Sequence, residues 1–420
     1  MSFPSPEVAR AVLQRVGEAG QPPEVGIEHL NVGNESVLGV LAAEYLEPIA
    51  RSGRGSSFKL VQAYYGGGKT HFLLCARQRA WTLGMCSALV GLSPEECPFD
   101  DSLRTYAAVA RELAWPPADP ACAPARGIEL ALGQALEERR AQLGDDGVAE
   151  WLDRQVRVLP VDAPSWRAAM VAFFRARLSG DLDREELAAA WLRGEEVPVS
   201  EVRALGIREA ITRESGFRML RSLCQALQGI GAPGLLLCFD ELDRTLSLPP
   251  RRRRAIADNL RQLIDLCGRE QLPGLLCLYA VPPEFMTSVV AEYPALQQRL
   301  KGPAALSERS PQAALIDLEN LDLKPEELLA QIGLRLVALF RVAYDPEVDA
   351  ALQEENLRAL AREVLESSFE VAHRRAYVKA AVDLLHGQRV KPASVSRSEL
   401  RRLAGRAAEL VAVSPSYEEF

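Results

Sequence analysis

The sequence lacks any long apolar run, and this absence excludes the usual architecture of an integral membrane protein. No stretch of the 420 residues approaches the roughly 18 apolar residues that a membrane-spanning helix needs. The opening segment, MSFPSPEVAR, also lacks the basic and then apolar order of a secretory signal. We therefore expect a cytoplasmic protein without a membrane partner.

Metal-binding spacings of cysteine and histidine are also absent. The chain has 8 Cys and 4 His, with no CxxC pair and no His at metal-ligand spacing. Cys75, Cys224, Cys238 and Cys277 lie inside apolar segments, where cysteine behaves as a small apolar residue. The pattern favours core residues over a zinc site.

An overall excess of basic residues is missing, because the net charge is -8 and the pI is about 5.4. This balance argues against a chain coated in nucleic-acid-binding charge but leaves local basic patches open. Two basic groups stand out: Arg251–Arg254, and the group Arg397, Arg401, Arg402 and Arg406. Either group fits contact with a phosphate backbone or a solvated helix, and Pro249 and Pro250 favour a helix start at the first.

Five short apolar segments predict strands that alternate with helical stretches, which is typical of an α/β fold with a parallel sheet flanked by helices. They lie at residues 58–63, 87–92, 235–239, 274–281 and 314–318. The predicted organisation is a helical N-terminal extension (residues 1–32), a core (33–320) and a C-terminal helical lid (321–420). A large helical insertion occupies about residues 99–228 of the core.

A glycine-rich segment directly after the first strand carries the strongest chemical signal. It reads Ala63-Tyr64-Tyr65-Gly66-Gly67-Gly68-Lys69-Thr70 and matches P-loop spacing, with Ala63 where glycine is usual. The glycines allow backbone amides to turn towards a phosphate, and the following helix directs its positive end at the same place. We expect Lys69 to reach the β- and γ-phosphates and Thr70 to bind Mg²⁺.

A second signal is the apolar strand at residues 235–239, which ends in the adjacent carboxylates Asp240 and Glu241. This is a Walker B pattern, in which Asp240 holds Mg²⁺ and Glu241 activates the attacking water. The alternative, a strand followed by an acidic turn, is disfavoured behind a P-loop. Asp243 and Arg244 fit a helix-start charge pair better than a catalytic role. No Asn-Lys-x-Asp element for guanine is present, so we expect ATP.

The order of these motifs and the helical lid resembles the AAA+ family, particularly its origin-recognition and STAND-type members. The segment Tyr293–Leu300 is similar to the helix that carries the arginine finger of that family, which implies this role for Arg299. A solvated helix arginine is an equal alternative. The segment Val395–Leu400 is similar to the sensor 2 element, which implies that Arg397 contacts phosphate. Residues 278–283 offer no polar sensor 1 residue.

A closer resemblance, over most of the chain, is to the BREX-system ATP-binding domain family, of the BrxD type. The run Tyr65–Leu73, which includes His71, the element Leu92–Glu95 and the long insertion before Asp240 carry it. The resemblance implies a bacterial anti-phage ATPase that acts on or near DNA, with His71 among the nucleotide-binding residues. It also implies partners such as a helicase, a methyltransferase or other defence proteins. Because arginine fingers usually act between subunits, we also expect a homo-oligomer.

Three functions remain open from the sequence. The first is an ATP-hydrolysing motor or switch that remodels a DNA-bound complex. The second is a nucleotide-gated binding module with little or no hydrolysis, which the missing polar sensor favours. A small-molecule kinase ranks last, because the Asp-Glu pair and the helical lid disfavour it.

Overall fold

The centre of the fold is a sheet whose strands are largely those that the sequence predicts. The computed structural model describes residues 4–119, 122–241, 248–300, 302, 304–344, 347–367 and 373–412. The strands are β1 (Ser56–Gln62), β2 (Cys86–Gly91), β3 (Leu113–Ala114), β4 (Leu235–Asp240), β5 (Leu275–Val281) and β6 (Leu315–Asp317). The five predicted strands are confirmed with ends shifted by a residue or two. The short β3 was not predicted, because two residues carry no periodicity.

The strand order places two strand ends that carry chemistry at one edge of the sheet. The order is β3-β2-β4-β5-β1-β6, and the neighbours are parallel except for the antiparallel pair β2 and β3. Strand β5 therefore lies between β1 and β4. Ligands of open α/β sheets bind outside the carboxyl ends of the strands, and these are the ends where β1 and β4 lead into the glycine-rich loop and Asp240.

Helices cover both faces of the sheet. The helices before the insertion are α1 (Pro6–Ala19), α2 (Glu35–Leu41), α3 (Glu47–Ser52) and α4 (Lys69–Thr82). Alternate residues of β5 face opposite sides, since Leu278 and Ala280 join the apolar cluster of α4 while Cys277 and Tyr279 join the cluster on the other face. Both faces are buried, and this explains why the parallel strands read as nearly continuous apolar runs.

The predicted helical insertion packs against the sheet. Its region contains α5 (Ser102–Glu112), α6 (Ile128–Arg154), α7 (Pro164–Ser179), α8 (Leu182–Leu192), α9 (Val199–Val202) and α10 (Gly216–Gly229). The buried Trp166 indole donates to Tyr106 Oη at 2.8 Å, and that hydroxyl donates to the Leu192 carbonyl at 2.8 Å. These bonds satisfy polar groups inside an apolar cluster that also contains residues of β2 and β4.

Two further helices, α11 (Pro250–Gly268) and α12 (Pro294–Leu300), flank β5 in sequence, and four others form the C-terminal unit. These four are α13 (Pro325–Ala343), α14 (Ala350–Ser367), α15 (His373–Val390) and α16 (Arg397–Ala412). Helix α1 shares their apolar core, in which Val12 and Leu13 are fully buried. Burying each such side chain contributes about 1.5–3 kcal/mol. The N-terminal helix, which the sequence assigns to an N-terminal extension, thus shares its core with the C-terminal helices.

The ends of α1 follow its local sequence. The Ser5 hydroxyl accepts the N–H of Val8 at 3.3 Å, and Pro6 opens the helix where no amide partner is needed. Gly20 ends it in the left-handed conformation with φ 59°.

Candidate functional site

The glycine-rich segment forms a tight loop between β1 and α4. Gly66 and Gly68 adopt positive φ values of 73° and 94°. A Cβ on Gly67 would lie 2.5 Å from Glu319 Oε1 and 2.9 Å from Ala63 Cβ, so only glycine fits there. Helix α4 begins at Lys69, and its first amides face the space beside the loop, where a helix favours an anion.

The Lys69 side chain folds back into this loop. Its Nζ donates to the carbonyl oxygens of Ala63 at 3.0 Å and Tyr64 at 3.2 Å. The side chain is buried, and carbonyl oxygens replace part of the hydration that its charge loses. The structure therefore places the ammonium group against the first two residues of the loop.

Thr70 and Asp240 meet across 170 positions of sequence. The Thr70 hydroxyl donates to Asp240 Oδ2 at 2.5 Å, and Asp240 is buried at the end of β4. A hydroxyl and a carboxylate are oxygen ligands of the kind that Mg²⁺ takes, usually together with waters and phosphate oxygens. The two predicted metal ligands are thus adjacent, and their chemistry fits that ion.

Glu241 follows Asp240 in a strained conformation. Its φ is 63°, a region that costs a residue with a side chain about 1–2 kcal/mol. The Glu241 N–H donates to Asp240 Oδ1 at 2.9 Å, and a Cβ on Gly91 would lie 3.7 Å from Glu241 Oε2. The carboxylate therefore lies near the carboxyl end of β2. Asp243 and Arg244 lie outside the described residues.

An arginine that the sequence analysis did not select reaches the loop from the C-terminal unit. Arg374, in the first turn of α15, donates to the Gly67 carbonyl and, at 3.0 Å, to the Leu318 carbonyl. Burial lowers the pKa of the Arg374 guanidinium, and the Glu319 carboxylate opposes this shift. No local motif marks Arg374, because its contacts are more than 50 positions away. Its neighbour His71 is kept neutral at pH 7, since burial, together with the Arg374 charge, lowers the pKa of His71 to about 4.

Two more unpredicted residues hold the tyrosines of the loop. Glu319, just after β6, accepts the Tyr64 N–H at 2.9 Å. Arg375 donates to Tyr65 Oη at 2.7 Å with its guanidinium 5.4 Å from the ring centroid, and its Nε donates to the Gly20 carbonyl at 3.2 Å. The start of α15 thus contacts both the loop and the end of α1.

A cavity of about 310 Å³ lies between the loop and the C-terminal unit. Tyr64 and Gly67 line one side, and apolar residues of the segment before and within α13 line the other: Leu321, Leu323, Pro325, Leu328 and Leu329. Gly33 adjoins this wall, because a Cβ there would lie 2.8 Å from Leu328 Cδ1. The cavity combines an apolar wall with nearby backbone donors, as sites for organic ligands do.

Arg397, the predicted phosphate contact, is instead engaged by carboxylates. It donates to Glu363 and, at 2.6 Å, to Glu366 Oε2, while Arg401 donates to Glu363 Oε2 at 3.1 Å. Burial would raise the pKa of Glu363, but the bonds and charges of the two arginines lower it. This arrangement does not support the Arg397 prediction, because two anions already satisfy the guanidinium and Arg374 contacts the loop.

Arg299, the predicted arginine finger, lies in α12 and pairs with Asp265 of α11. Its Nε is 2.5 Å from Asp265 Oδ1, its Nη2 is 3.1 Å from Oδ2, and its Nη1 donates to the Ala295 carbonyl at 2.7 Å. The hydrogen bonds from Arg299 lower the pKa of Asp265. A role on a neighbouring subunit stays a prediction, since it needs a second copy of the chain.

The basic run Arg251–Arg254 occupies the first turns of α11, which begins at Pro250 as predicted. Arg252 pairs with Asp100, with Nε 2.6 Å from Oδ2, and also donates to the Pro94 carbonyl at 3.3 Å. Arg252 therefore fastens α11 to the segment after β2. This contact offsets the cost of cations at a helix N-terminus.

Comparison with known proteins gives one match, and it spans nearly the whole chain. The family model described as BREX system ATP-binding protein BrxC/D matches residues 5–402. No curated protein and no solved structure matches the chain. In the part of the chain that the structure describes, no helix has both the length and the apolar character that a membrane crossing requires.

Proposed function

The chain belongs to the BREX system ATP-binding protein BrxC/D family, and from this membership and the site geometry we propose that it is a P-loop ATPase of the AAA+ type. The observation that carries the proposal is the contact of Thr70 Oγ1 with Asp240 Oδ2 at 2.5 Å. It joins the helix after a glycine-rich loop to the acidic end of a buried strand. The position of β5 between β1 and β4 supports the AAA+ assignment.

The loop and the start of α4 would bind the phosphates. The amides of Gly66 to Thr70 would donate to phosphate oxygens, and the Lys69 ammonium would exchange its carbonyl partners for the β- and γ-phosphates. Thr70 and Asp240 would hold Mg²⁺, which when bound supplies charge neutralisation at the phosphates. His71, neutral and next to the loop, shapes the site without adding charge.

Hydrolysis needs a base at the γ-phosphate, and we assign this role to Glu241. Its strained backbone supports the assignment, because such conformations persist mainly where function requires them. The Glu241 carboxylate would orient the attacking water and accept its proton. Arg374 would stabilise negative charge on the phosphates, since its half-buried guanidinium donates to two carbonyl oxygens beside the loop and can bind an anion there.

The apolar wall of the 310 Å³ cavity is the proposed adenine site. Leu321, Leu323 and Leu328 would pack against the base, with Gly33 behind them. Their contacts cross from the core to the C-terminal unit. Nucleotide binding would therefore fix the position of the lid relative to the loop.

At the level of the cell, we propose a motor or switch in BREX defence that acts on or near DNA with other components of the system. As a homo-oligomer it would use Arg299 as a finger towards the neighbouring subunit, which requires Arg299 to leave Asp265. Mixing Arg299→Ala subunits that retain Lys69 with Lys69→Ala subunits that retain Arg299 tests this. Recovery of ATP turnover in the mixture supports an arginine finger that acts on the neighbouring subunit. If both variants are inactive alone and the mixture is also inactive, that role of Arg299 is contradicted.

The decisive experiment compares ATP binding and ATP turnover by wild type and Glu241→Gln, with and without DNA. We expect both proteins to bind ATP, only wild type to turn it over, and DNA to increase the rate. The matched control is Glu201→Gln, an exposed glutamate in α9 of the helical insertion. Turnover that persists in Glu241→Gln removes the catalytic assignment.

A nucleotide-gated binding module is the second candidate, and the end of β5 favours it. The strand finishes in Ala280 and Val281 and is followed by Pro282, so it presents no polar side chain to the γ-phosphate. ATP binding without turnover under every condition of the same experiment would make this the leading function.

A further inference from the structure

A second cavity runs along α7 in the helical insertion and shares no lining residue with the cavity beside the loop. It has a volume of about 640 Å³ and extends from Ser165, near the start of α7, to Ser179 at its end. At 1.5 Å per residue, these positions are about 21 Å apart along the helix. We call this cavity the α7 groove. Its length fits an extended or helical occupant better than a compact small molecule.

The floor of the α7 groove is made of small side chains. Ala168, Ala172 and Ala176 recur every four residues and therefore lie on one face of α7. Such a row forms a low ridge, and packed helices interdigitate along ridges of this spacing. The floor thus allows the backbone of another helix to approach closely.

The rim of the α7 groove is strongly basic in a chain whose net charge is -8. Among the described lining residues one is acidic, Asp181, and five are arginines: Arg157, Arg167, Arg175, Arg184 and Arg208. Arg175 pairs with Asp153 at 2.5 Å, and Arg184 pairs with Asp181 at 3.5 Å. Among the described residues, the exposed Arg157 and Arg208 have no carboxylate partner, so their charge is available to an anionic ligand.

Exposed aliphatic residues stand next to lining residues in the chain. Val158, Leu178 and Leu182 are 64%, 37% and 74% exposed, and each directly neighbours a lining residue in the chain. No aromatic residue lines the described groove, although proteins that bind single-stranded nucleic acid use aromatic rings to stack bases. Aliphatic contacts combined with guanidinium groups favour a protein ligand.

We propose that the α7 groove binds an acidic amphipathic helix of a partner protein. The apolar stripe of that helix would lie over Ala168, Ala172 and Ala176 and contact the exposed aliphatic residues at the rim. Carboxylates on both flanks would pair with the groove arginines. This interaction is separate from the nucleotide site, and the insertion is thereby a recruitment surface.

The first test measures binding of a labelled peptide to the full chain by fluorescence anisotropy. The probe has about 20 residues, enough to cover the groove at 1.5 Å per residue, with a Leu and Ala stripe between Glu flanks. We expect saturable binding that weakens as salt screens the ion pairs, and no binding of the same peptide with Gln for Glu. Absence of saturable binding of the Glu peptide overturns the proposal.

The second test locates the binding. The double variant Arg157→Glu, Arg208→Glu should weaken peptide binding about tenfold or more, because tenfold corresponds to the loss of only about 1.4 kcal/mol. The double variant Arg402→Glu, Arg406→Glu makes the same charge change at exposed positions of α16 and should leave binding unchanged. Equal losses in both variants indicate attraction by overall charge and overturn the assignment to the groove.

A third variant tells whether the ligand of the groove is a protein helix or a nucleic acid. Ala172→Leu fills the floor and leaves every arginine in place, so it should abolish peptide binding. Phosphates that contact only the rim would be unaffected. Binding of duplex and single-stranded DNA is therefore measured with the same proteins. If DNA binding requires the arginines and survives Ala172→Leu, and the peptide does not bind, the groove is a nucleic-acid site and the proposal is wrong. Unchanged thermal unfolding and ATP binding show that each variant is folded.

Discussion

The start of α15 and the start of α16 belong to the same C-terminal unit, yet their arginines have opposite surroundings. Arg374 donates to two carbonyl oxygens at the loop side of the unit. Arg397 is held between two carboxylates, those of Glu363 and Glu366. A guanidinium bonded to carbonyls keeps its charge available for a phosphate, whereas one between two anions is already neutralised. The groups that each arginine contacts, more than its local sequence, thus decide which arginine is available to bind a nucleotide.

The largest loss of ATP affinity is expected from replacing Lys69, and it is the reference for the losses expected at the two arginines. Lys69→Ala removes the ammonium group beside the loop amides and should weaken ATP affinity about 100-fold, as the loss of a charge-assisted contact of about 3 kcal/mol does. Isothermal titration with ATP measures this. Lys391→Ala, at an exposed lysine of the C-terminal unit, is the control. An unchanged affinity in Lys69→Ala would contradict the proposed phosphate site.

The next effect concerns Arg374 itself. Arg374→Ala should weaken ATP affinity or slow turnover about tenfold, because one charged hydrogen-bond donor to phosphate contributes about 1.5–3 kcal/mol, partly offset by lid rearrangement. Arg374→Lys keeps the charge but loses the two-pronged donation, and it should give an intermediate value. If ADP affinity falls as much as ATP affinity, Arg374 supports the loop and does not contact the γ-phosphate.

Arg397→Ala should leave ATP affinity and turnover within about twofold of wild type, since the Arg397 guanidinium is already paired with two carboxylates. The change should instead lower the melting temperature slightly, because Glu363 loses one of its two arginine partners. Thermal unfolding and ATP titration on the same preparation separate the two effects. A tenfold loss of ATP affinity without loss of stability would restore the sequence-based prediction for Arg397 and break the comparison.

The smallest effect is a pH dependence at Glu363. The pKa of Glu363 is lower in the folded chain than its usual value of 4.5, so its ionised form stabilises the fold above that value. This contribution is lost as the pH falls below about 4.5 and through the folded pKa. Urea unfolding should show a smaller loss of stability on acidification in Glu363→Gln than in wild type. An identical pH slope would mean that the Glu363 pairs add nothing.

The sequence predicts well what contiguous residues determine. The loop from Ala63 to Thr70 and the end of β4 are recognisable because glycines, Lys, Thr and the acidic pair stand at fixed spacing beside apolar strands. The strands themselves are predicted because both faces of the sheet are buried. Local spacing is therefore enough to predict the loop, the strands, and the pair Thr70 and Asp240 that meets between them.

Contacts between distant segments were not predictable in the same way. Arg374 and Glu319 contact the loop through bonds that span more than 250 positions, and neither stands in a recognisable pattern. Arg397 was selected because a short segment resembled a known element, but the nearby glutamates of α14 capture it. Which of several arginines reaches a phosphate site depends on how helices pack, and that information is spread over the whole C-terminal unit.

The packing of α1 has a consequence for how the chain acquires its structure during synthesis. Arg10 Nε donates to the Ala343 carbonyl across 333 positions, and the apolar face of α1 is buried in a cluster formed mainly by α13, α14, α15 and α16. An isolated helix of this length is marginal in water. On the ribosome, α1 must therefore wait for most of the chain before its partners emerge, with its apolar face accessible to chaperones meanwhile. The apolar core of the C-terminal unit is then completed only when α1 and the C-terminal helices come together.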